Sequence, residues 1–160
     1  MPASRRPVEV TLREITSETV RKVTALAVAP EQEGYVASNA VSIAEAYFEP
    51  KAWFRTIAAG EELVGFVMVH RDPDARVFYV WRFMIDARHQ GRGFGRRAME
   101  LVLAEARSDG APAVTLSVVP GERSALDFYR RLGFEETGAV HGGEVVMRLE
   151  LGSTDDERPA

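Results

Sequence analysis

The run Arg88-His89-Gln90-Gly91-Arg92-Gly93-Phe94-Gly95-Arg96-Arg97 constrains this chain more than any other. Before it stands Val77-Phe78-Tyr79-Val80-Trp81-Arg82-Phe83-Met84-Ile85, β-branched or aromatic at most positions, which predicts a largely buried strand. After it stands Ala98-Met99-Glu100-Leu101-Val102-Leu103-Ala104-Glu105-Ala106, a good helix former throughout. The unit is therefore strand, glycine-rich basic turn, helix. Glycines at every second position, Gly91, Gly93 and Gly95, let main-chain N–H groups converge with no side chain in the way. They converge at a helix N-terminus, where unpaired donors and the helix dipole favour an anion. Arg88, Arg92, Arg96 and Arg97 add positive charge. The chemistry this pattern asks for is a phosphate or pyrophosphate cradle. It is neither a P-loop, since no Gly-Lys-Ser/Thr is present, nor a dinucleotide fingerprint, whose glycine spacing and early position differ.

Along the chain, Val8, Val10 and Leu12 alternate with polar residues as a half-buried first strand. Thr16 or Ser17 is placed to cap a helix reaching about Ala29, with Val20, Val23, Ala27 and Val28 on one side, and Pro30 ends it. Glu31 to Gly34 reads as a polar connection. Ser38 or Asn39 caps a second helix with Ala40, Ile43, Ala44, Tyr47 and Phe48 at helical spacing. Residues 53–58 and 63–70 form a hairpin, 113–119 a buried strand, 125–132 a helix closed by Gly133, and 134–140 with 145–151 a last hairpin around His141-Gly142-Gly143-Glu144. One domain is expected over 1–151, with a disordered tail at 152–160 and a disordered or extended start at 1–7. With no cysteine there is no disulfide or thiol chemistry, which fits a reducing, cytoplasmic setting. No leader-type apolar segment follows Met1, and no run is long enough to span a membrane. A net charge of −4 argues against general nucleic-acid binding. No His/Cys/Asp/Glu spacing suggests a metal site.

Arg88-x-x-Gly91-x-Gly93 resembles the Gln/Arg-x-x-Gly-x-Gly/Ala signature of the GNAT superfamily of acetyl-CoA-dependent N-acyltransferases. Ala125-Leu126-Asp127-Phe128-Tyr129-Arg130-Arg131-Leu132-Gly133-Phe134 resembles that family's second signature, a helix and turn reading Ala-x-x-Phe-Tyr-x-x-x-Gly-Phe. The segment from Val36 through Phe48, with Trp81 to Asp86, is further similar to bacterial spermine/spermidine acetyltransferases. The resemblance implies an α/β (mixed α+β) fold: a central, mixed but largely antiparallel sheet of about seven strands with about four helices. It implies acetyl-CoA as co-substrate, held by main-chain groups of Met84 and Ile85 and by Arg88, Gln90, Gly91, Arg92, Gly93, Phe94, Gly95 and Arg96. It implies a small-molecule amine as acceptor, a polyamine such as spermidine or spermine, and allows a homodimer. An aminoglycoside, an amino acid, a protein N-terminus, or a non-catalytic acyl-CoA sensor are the alternatives.

Acetyl transfer to an amine requires a neutral nitrogen, a polarised thioester carbonyl and a proton for the leaving sulfur. The resemblance gives the last task to Tyr129, a phenol of ordinary pKa near 10. Many family members carry a glutamate on the central strand as base; here Tyr79-Val80-Trp81-Arg82 offers no carboxylate. Ordered water, Glu31, Glu33, Glu45, Glu49 or a histidine are the candidates, with His89 read as solvent-facing and His141 as a turn residue. The family's asparagine before the second helix is Glu122 here. Glu33, Tyr35, Glu45 and Trp81 are the expected wall for an alkylammonium, by charge and ring-face contact.

Overall fold

The computed structural model describes residues 6–152, so the tail expected at 152–160 falls, from residue 153 on, outside the described residues, as do the first five. Seven strands form one sheet: β1 (Val10–Arg13), β2 (Ala52–Ala59), β3 (Glu62–Asp72), β4 (Val77–Ile85), β5 (Ala113–Val118), β6 (Glu135–His141) and β7 (Glu144–Glu150), in the order β1-β2-β3-β4-β5-β7-β6. Every neighbouring pair is antiparallel except β4–β5, which is parallel. Four α-helices pack around it: α1 (Val20–Ala25), α2 (Asn39–Ala46), α3 (Phe94–Ser108) and α4 (Leu126–Arg131). The expected mixed, largely antiparallel sheet is what forms.

Two apolar layers sandwich the sheet. Val67, Val69, Phe78, Val80 and Ile85 meet Ala98, Met99, Val102 and Ala106 of α3 on one face. Phe66, Met68 and Met84 meet Val23 and Leu26 of the α1 region on the other. The i, i+4, i+8 spacing of Ala98, Val102 and Ala106 is what lets α3 lie along the strands. Burial at about 25 cal/mol per Å² of apolar surface is the force that holds both layers.

The sheet's working feature is a break in regularity. Met68 pairs with Arg82 but Val69 pairs with Val80, so Trp81 is an extra residue, a β-bulge in β4. Its effect shows in which side chains join which layer: Phe78 and Val80 face α3 before the bulge, Phe83 and Ile85 face it afterwards. At the bulge both Trp81 and Arg82 are turned to the α1–α2 face, where Trp81 packs into the second layer and Arg82 reaches Glu45 of α2. A bulge also bends its strand, and β4 leaves β5 here: only Tyr79↔Thr115 and Val80↔Leu116 are paired.

Three expectations change. α1 ends at Ala25 rather than near Ala29, because residue 27 is recruited elsewhere: Ala27 N–H donates to Asp86 Oδ2 (3.0 Å) and its carbonyl accepts from Ala87 N–H (2.9 Å). Residues Pro30–Tyr35 are a 3₁₀ helix rather than a plain connection. Tyr47 and Phe48 are 85 and 80 % exposed, beyond the end of α2; the inward face holds Asn39 and Ser42 instead, since the Asn39 amide donates to Val23 O at 2.9 Å.

Candidate active site between β4 and β5

Beyond Val80, β4 keeps its ladder to β3 through Arg82, Phe83, Met84 and Ile85, and β5 keeps its ladder to β7 through Ser117 and Val118. Their inner edges face each other unpaired. An unpaired strand edge is a row of donors and acceptors that takes an extended ligand carrying amides. The gap opens into a cleft of about 950 Å³, the size of a large small-molecule site.

At one end the cleft meets the N-terminus of α3. Gly91 (φ 77°) and Gly93 (φ 81°) lie in the left-handed region, which costs an L-residue roughly 1–2 kcal/mol. Gly93 is the N-cap, with no side chain capping the helix and no acidic residue in its first turn. The first intrahelical bond is Arg97 N–H to Gly93 O, so the preceding N–H groups have no acceptor within the helix. A Cβ placed on Gly91 or Gly93 meets nothing within 4 Å, so the space in front of both is open. A Cβ on Gly95, in contrast, would stand 3.4 Å from the Phe128 ring. Gly95 is what lets α3 approach α4. This geometry fits a diphosphate: open cradle, free amides, positive dipole and Arg96 on the lining.

The loop is held by its own side chains. Asp86 accepts from Ala27 N–H, Arg88 N–H and Arg88 Nε, each at 3.0 Å. Burial pushes the Asp86 carboxyl up, but these donors outweigh it and hold the group below the usual carboxylate range. Gln90 Nε2 donates to Ile85 O (2.9 Å) and Gln32 Oε1 (3.0 Å), tying the loop to the end of β4 and to the 3₁₀ helix. His89 is 7 % exposed, not solvent-facing as expected: its Nε2 meets Glu62 Oε1 at 3.3 Å, and its Nδ1 has no partner among the described residues. Of the expected cofactor residues, Met84, Ile85, Gln90, Gly91, Gly93, Phe94, Gly95 and Arg96 line the cleft. Arg88 turns back onto Asp86, and Arg92 lies over the Phe94 ring, 4.8 Å from its centroid; neither is on the lining.

Tyr129 reaches the cleft from α4. Its ring is fixed edge-on between Phe128 (5.1 Å) and Phe134 (5.6 Å), and Phe128 stacks on Phe83 of β4 (6.1 Å). Each aromatic pair adds roughly 0.5–1.5 kcal/mol beyond its burial, so the phenol is rigidly aimed. Burial pushes the Tyr129 hydroxyl well above its ordinary pKa. It stays protonated across neutral and mildly alkaline pH.

The 3₁₀ helix also borders the cleft. A Cβ on Gly121 would come within 2.5 Å of the Tyr35 hydroxyl, and that hydroxyl also accepts from Arg123 N–H at 3.4 Å. Glu33, Tyr35 and Trp81 line the cleft; Glu45 does not, being drawn to Arg82 Nη2 at 3.4 Å. Arg82 itself lines the cleft, lies over the Trp81 ring (5.4 Å), and has a buried Nε without a partner among the described residues. Glu49 accepts from Lys51 N–H and is spent on a turn. Glu144, at the start of β7, also lines the cleft; the sequence pattern marks it only as part of the last hairpin turn. Among the described residues no cluster of three or more His, Cys, Asp or Glu could hold a metal ion, and no helix is long and apolar enough to cross a membrane.

A sheet split by a bulge, with a glycine cradle at one end of the split and a fixed phenol beside it, is the frame of an acyl-CoA-dependent transferase. The model of the acetyltransferase (GNAT) family matches residues 12–134, and the chain belongs to that family. It is an N-acetyltransferase with acetyl-CoA as co-substrate. Over 154 residues it is 28% identical to the spermine/spermidine N(1)-acetyltransferase of Bacillus subtilis (strain 168), covering 89% of this chain and 99% of the relative. It is also 34% identical over 110 residues to the mycothiol acetyltransferase of Nocardia farcinica, but spans only 36% of that protein. Its fold is similar to that of the PaiA N-acetyltransferase from Thermoplasma acidophilum crystallised in complex with coenzyme A, with a TM-score of 0.69 at 14% identity over 89% of this chain and 99% of the other.

Proposed function

We propose that the chain moves the acetyl group of acetyl-CoA directly to a primary amine of a polyamine such as spermidine or spermine. The observation that carries the reading is the cleft itself: a diphosphate cradle and an acceptor mouth opening on one continuous gap between β4 and β5. The loop amides from Gly91 to Arg96 hold the pyrophosphate, and the open edge of β4, to which Ile85 turns its main-chain groups while Met84 turns its own to β3, pairs with the pantetheine arm. A main-chain N–H on that edge polarises the thioester carbonyl. Tyr129 stands by the departing sulfur.

Glu33, Tyr35 and Trp81 form the wall that receives an alkylammonium, by charge and by ring faces. The resemblance in sequence to the Bacillus polyamine enzyme over nearly the whole of both chains supports the choice of acceptor. A second reading has its own observation. Arg82 and Arg123 also line the cleft, and they favour an amine that carries a carboxylate, such as an amino acid.

A panel of acceptors separates the two. Release of free CoA is followed with spermidine, spermine, an α-amino acid, an aminoglycoside and a peptide N-terminus. The polyamines are expected to give kcat/KM values at least about tenfold above the rest, which corresponds to one well-placed ion pair. A lead by the carboxylate-bearing amines would replace the first reading with the second.

A further inference from the structure

The central strand carries no carboxylate, yet the nitrogen must lose a proton as it acylates. Two carboxylates line the cleft, Glu33 and Glu144. They differ in setting. Glu33 lies on the 3₁₀ helix and is exposed. Glu144 is half-buried and is the first residue of β7. Next to it, Val145 pairs with Val118, at the end of β5 that borders the cleft. The hairpin that delivers it is closed by Gly142 (φ 58°) and Gly143 (φ 81°), a two-residue turn of the type that matches strand twist and fixes register. Glu45, Glu62, Glu105 and Glu136 are each engaged by a basic side chain. Neither cleft carboxylate forms an ion pair or hydrogen bond among the described residues, and what distinguishes Glu144 is its half-buried place on a strand. It is an uncommitted carboxylate on a rigid strand, in the same cleft as Tyr129.

We infer that Glu144 is the proton acceptor for the incoming amine. A neutral amine forms the N–C bond to the acetyl carbon as the C=O π pair moves onto oxygen, and the nitrogen becomes positively charged and strongly acidic. Glu144 takes one N–H proton from it. The C=O bond re-forms as the C–S bond breaks with its electron pair going to sulfur, and sulfur takes the proton of the Tyr129 hydroxyl. The proton held on Glu144 returns through solvent to the Tyr129 oxygen, so both residues end as they began. The products are the N-acetyl amine and CoA thiol. Proton transfer in step with bond formation avoids having to deprotonate an alkylammonium outright.

This inference rests on amine acetylation but not on the polyamine choice. It is tested on whichever amine in the panel turns over fastest, so failure with spermidine alone would overturn only the polyamine reading. Glu144→Gln keeps the side-chain shape, and Glu144→Ala leaves room for a small acid. Both are expected to lower kcat by about 100-fold with CoA affinity within about twofold of the parent. Added formate is expected to restore activity to Glu144→Ala in proportion to its concentration, and not to Glu144→Gln. A Glu144→Gln variant with kcat within about threefold of the parent would overturn the assignment. So would a loss confined to KM, which would make Glu144 an ammonium anchor, or a loss of CoA affinity with no rescue by formate, which would make its role structural.

Discussion

Tyr129→Phe lowers kcat by about 100-fold while leaving CoA affinity within about twofold. The substitution removes one oxygen from a ring whose packing against Phe128 and Phe134 is unchanged, so the fold and the cradle stay intact. What disappears, on the proposed role, is the hydrogen bond to the departing sulfur and the proton that follows it. Burial makes this phenol a weaker acid than a free tyrosine. In the proposed mechanism it therefore supplies mainly a hydrogen bond until C–S cleavage is under way, and complete transfer depends on the proton given up by the amine. A kcat that survives the substitution would remove Tyr129 from the chemistry.

The same burial sets a pH signature. The folded-state pKa of Tyr129 lies above the unfolded value near 10, so its contribution to stability is fully present below about pH 10 and is lost as pH rises towards the folded value. The melting temperature of the parent is therefore expected to fall more steeply above pH 10 than that of Tyr129→Phe. Turnover should show no loss from Tyr129 ionisation below that pH.

Gly93→Val raises the Kd for CoA by about 100-fold or more. A β-branched residue at φ 81° is strained by roughly 1–2 kcal/mol, and its side chain enters the open space in front of the loop amides. Each charge-assisted hydrogen bond lost to a phosphate adds about 1.5–3 kcal/mol. The control is a short acetyl thioester that lacks the diphosphate. Parent and variant should turn it over alike, because the damage is confined to the cradle. Equal loss on both thioesters would mean that the substitution had disturbed the whole N-terminus of α3.

Much of this arrangement could be read from the residues. The β-branched and aromatic run from Val77 to Ile85, the alternating glycines and the small and apolar stripe of α3 each obey a local rule, and each formed where that rule put it. What escaped depends on partners distant in sequence. The bulge at Trp81 exists only relative to the register of β3, so no property of β4 alone announces it. α1 is short because Asp86, 59 residues further on, claims the amide of Ala27. His89 is buried because Glu62 of β3 comes to it. The 3₁₀ helix at Pro30–Tyr35 has no apolar periodicity to betray it, and its place beside the cleft follows from Tyr35 packing on Gly121. Glu144 carries no motif. Its interest comes from a Gly-Gly turn and a ladder that bring it to the edge of the cleft.

The most direct measurement is an amide nitrogen–proton correlation spectrum of ¹⁵N-labelled protein titrated with coenzyme A. Clamping of the diphosphate by the bend before α3 predicts large shifts at Gly91, Gly93, Phe94, Gly95 and Arg96, and at Ile85 on the open edge of β4, with β1 and β6 unaffected. Saturation of the protein with coenzyme A while those amides stay still would contradict it.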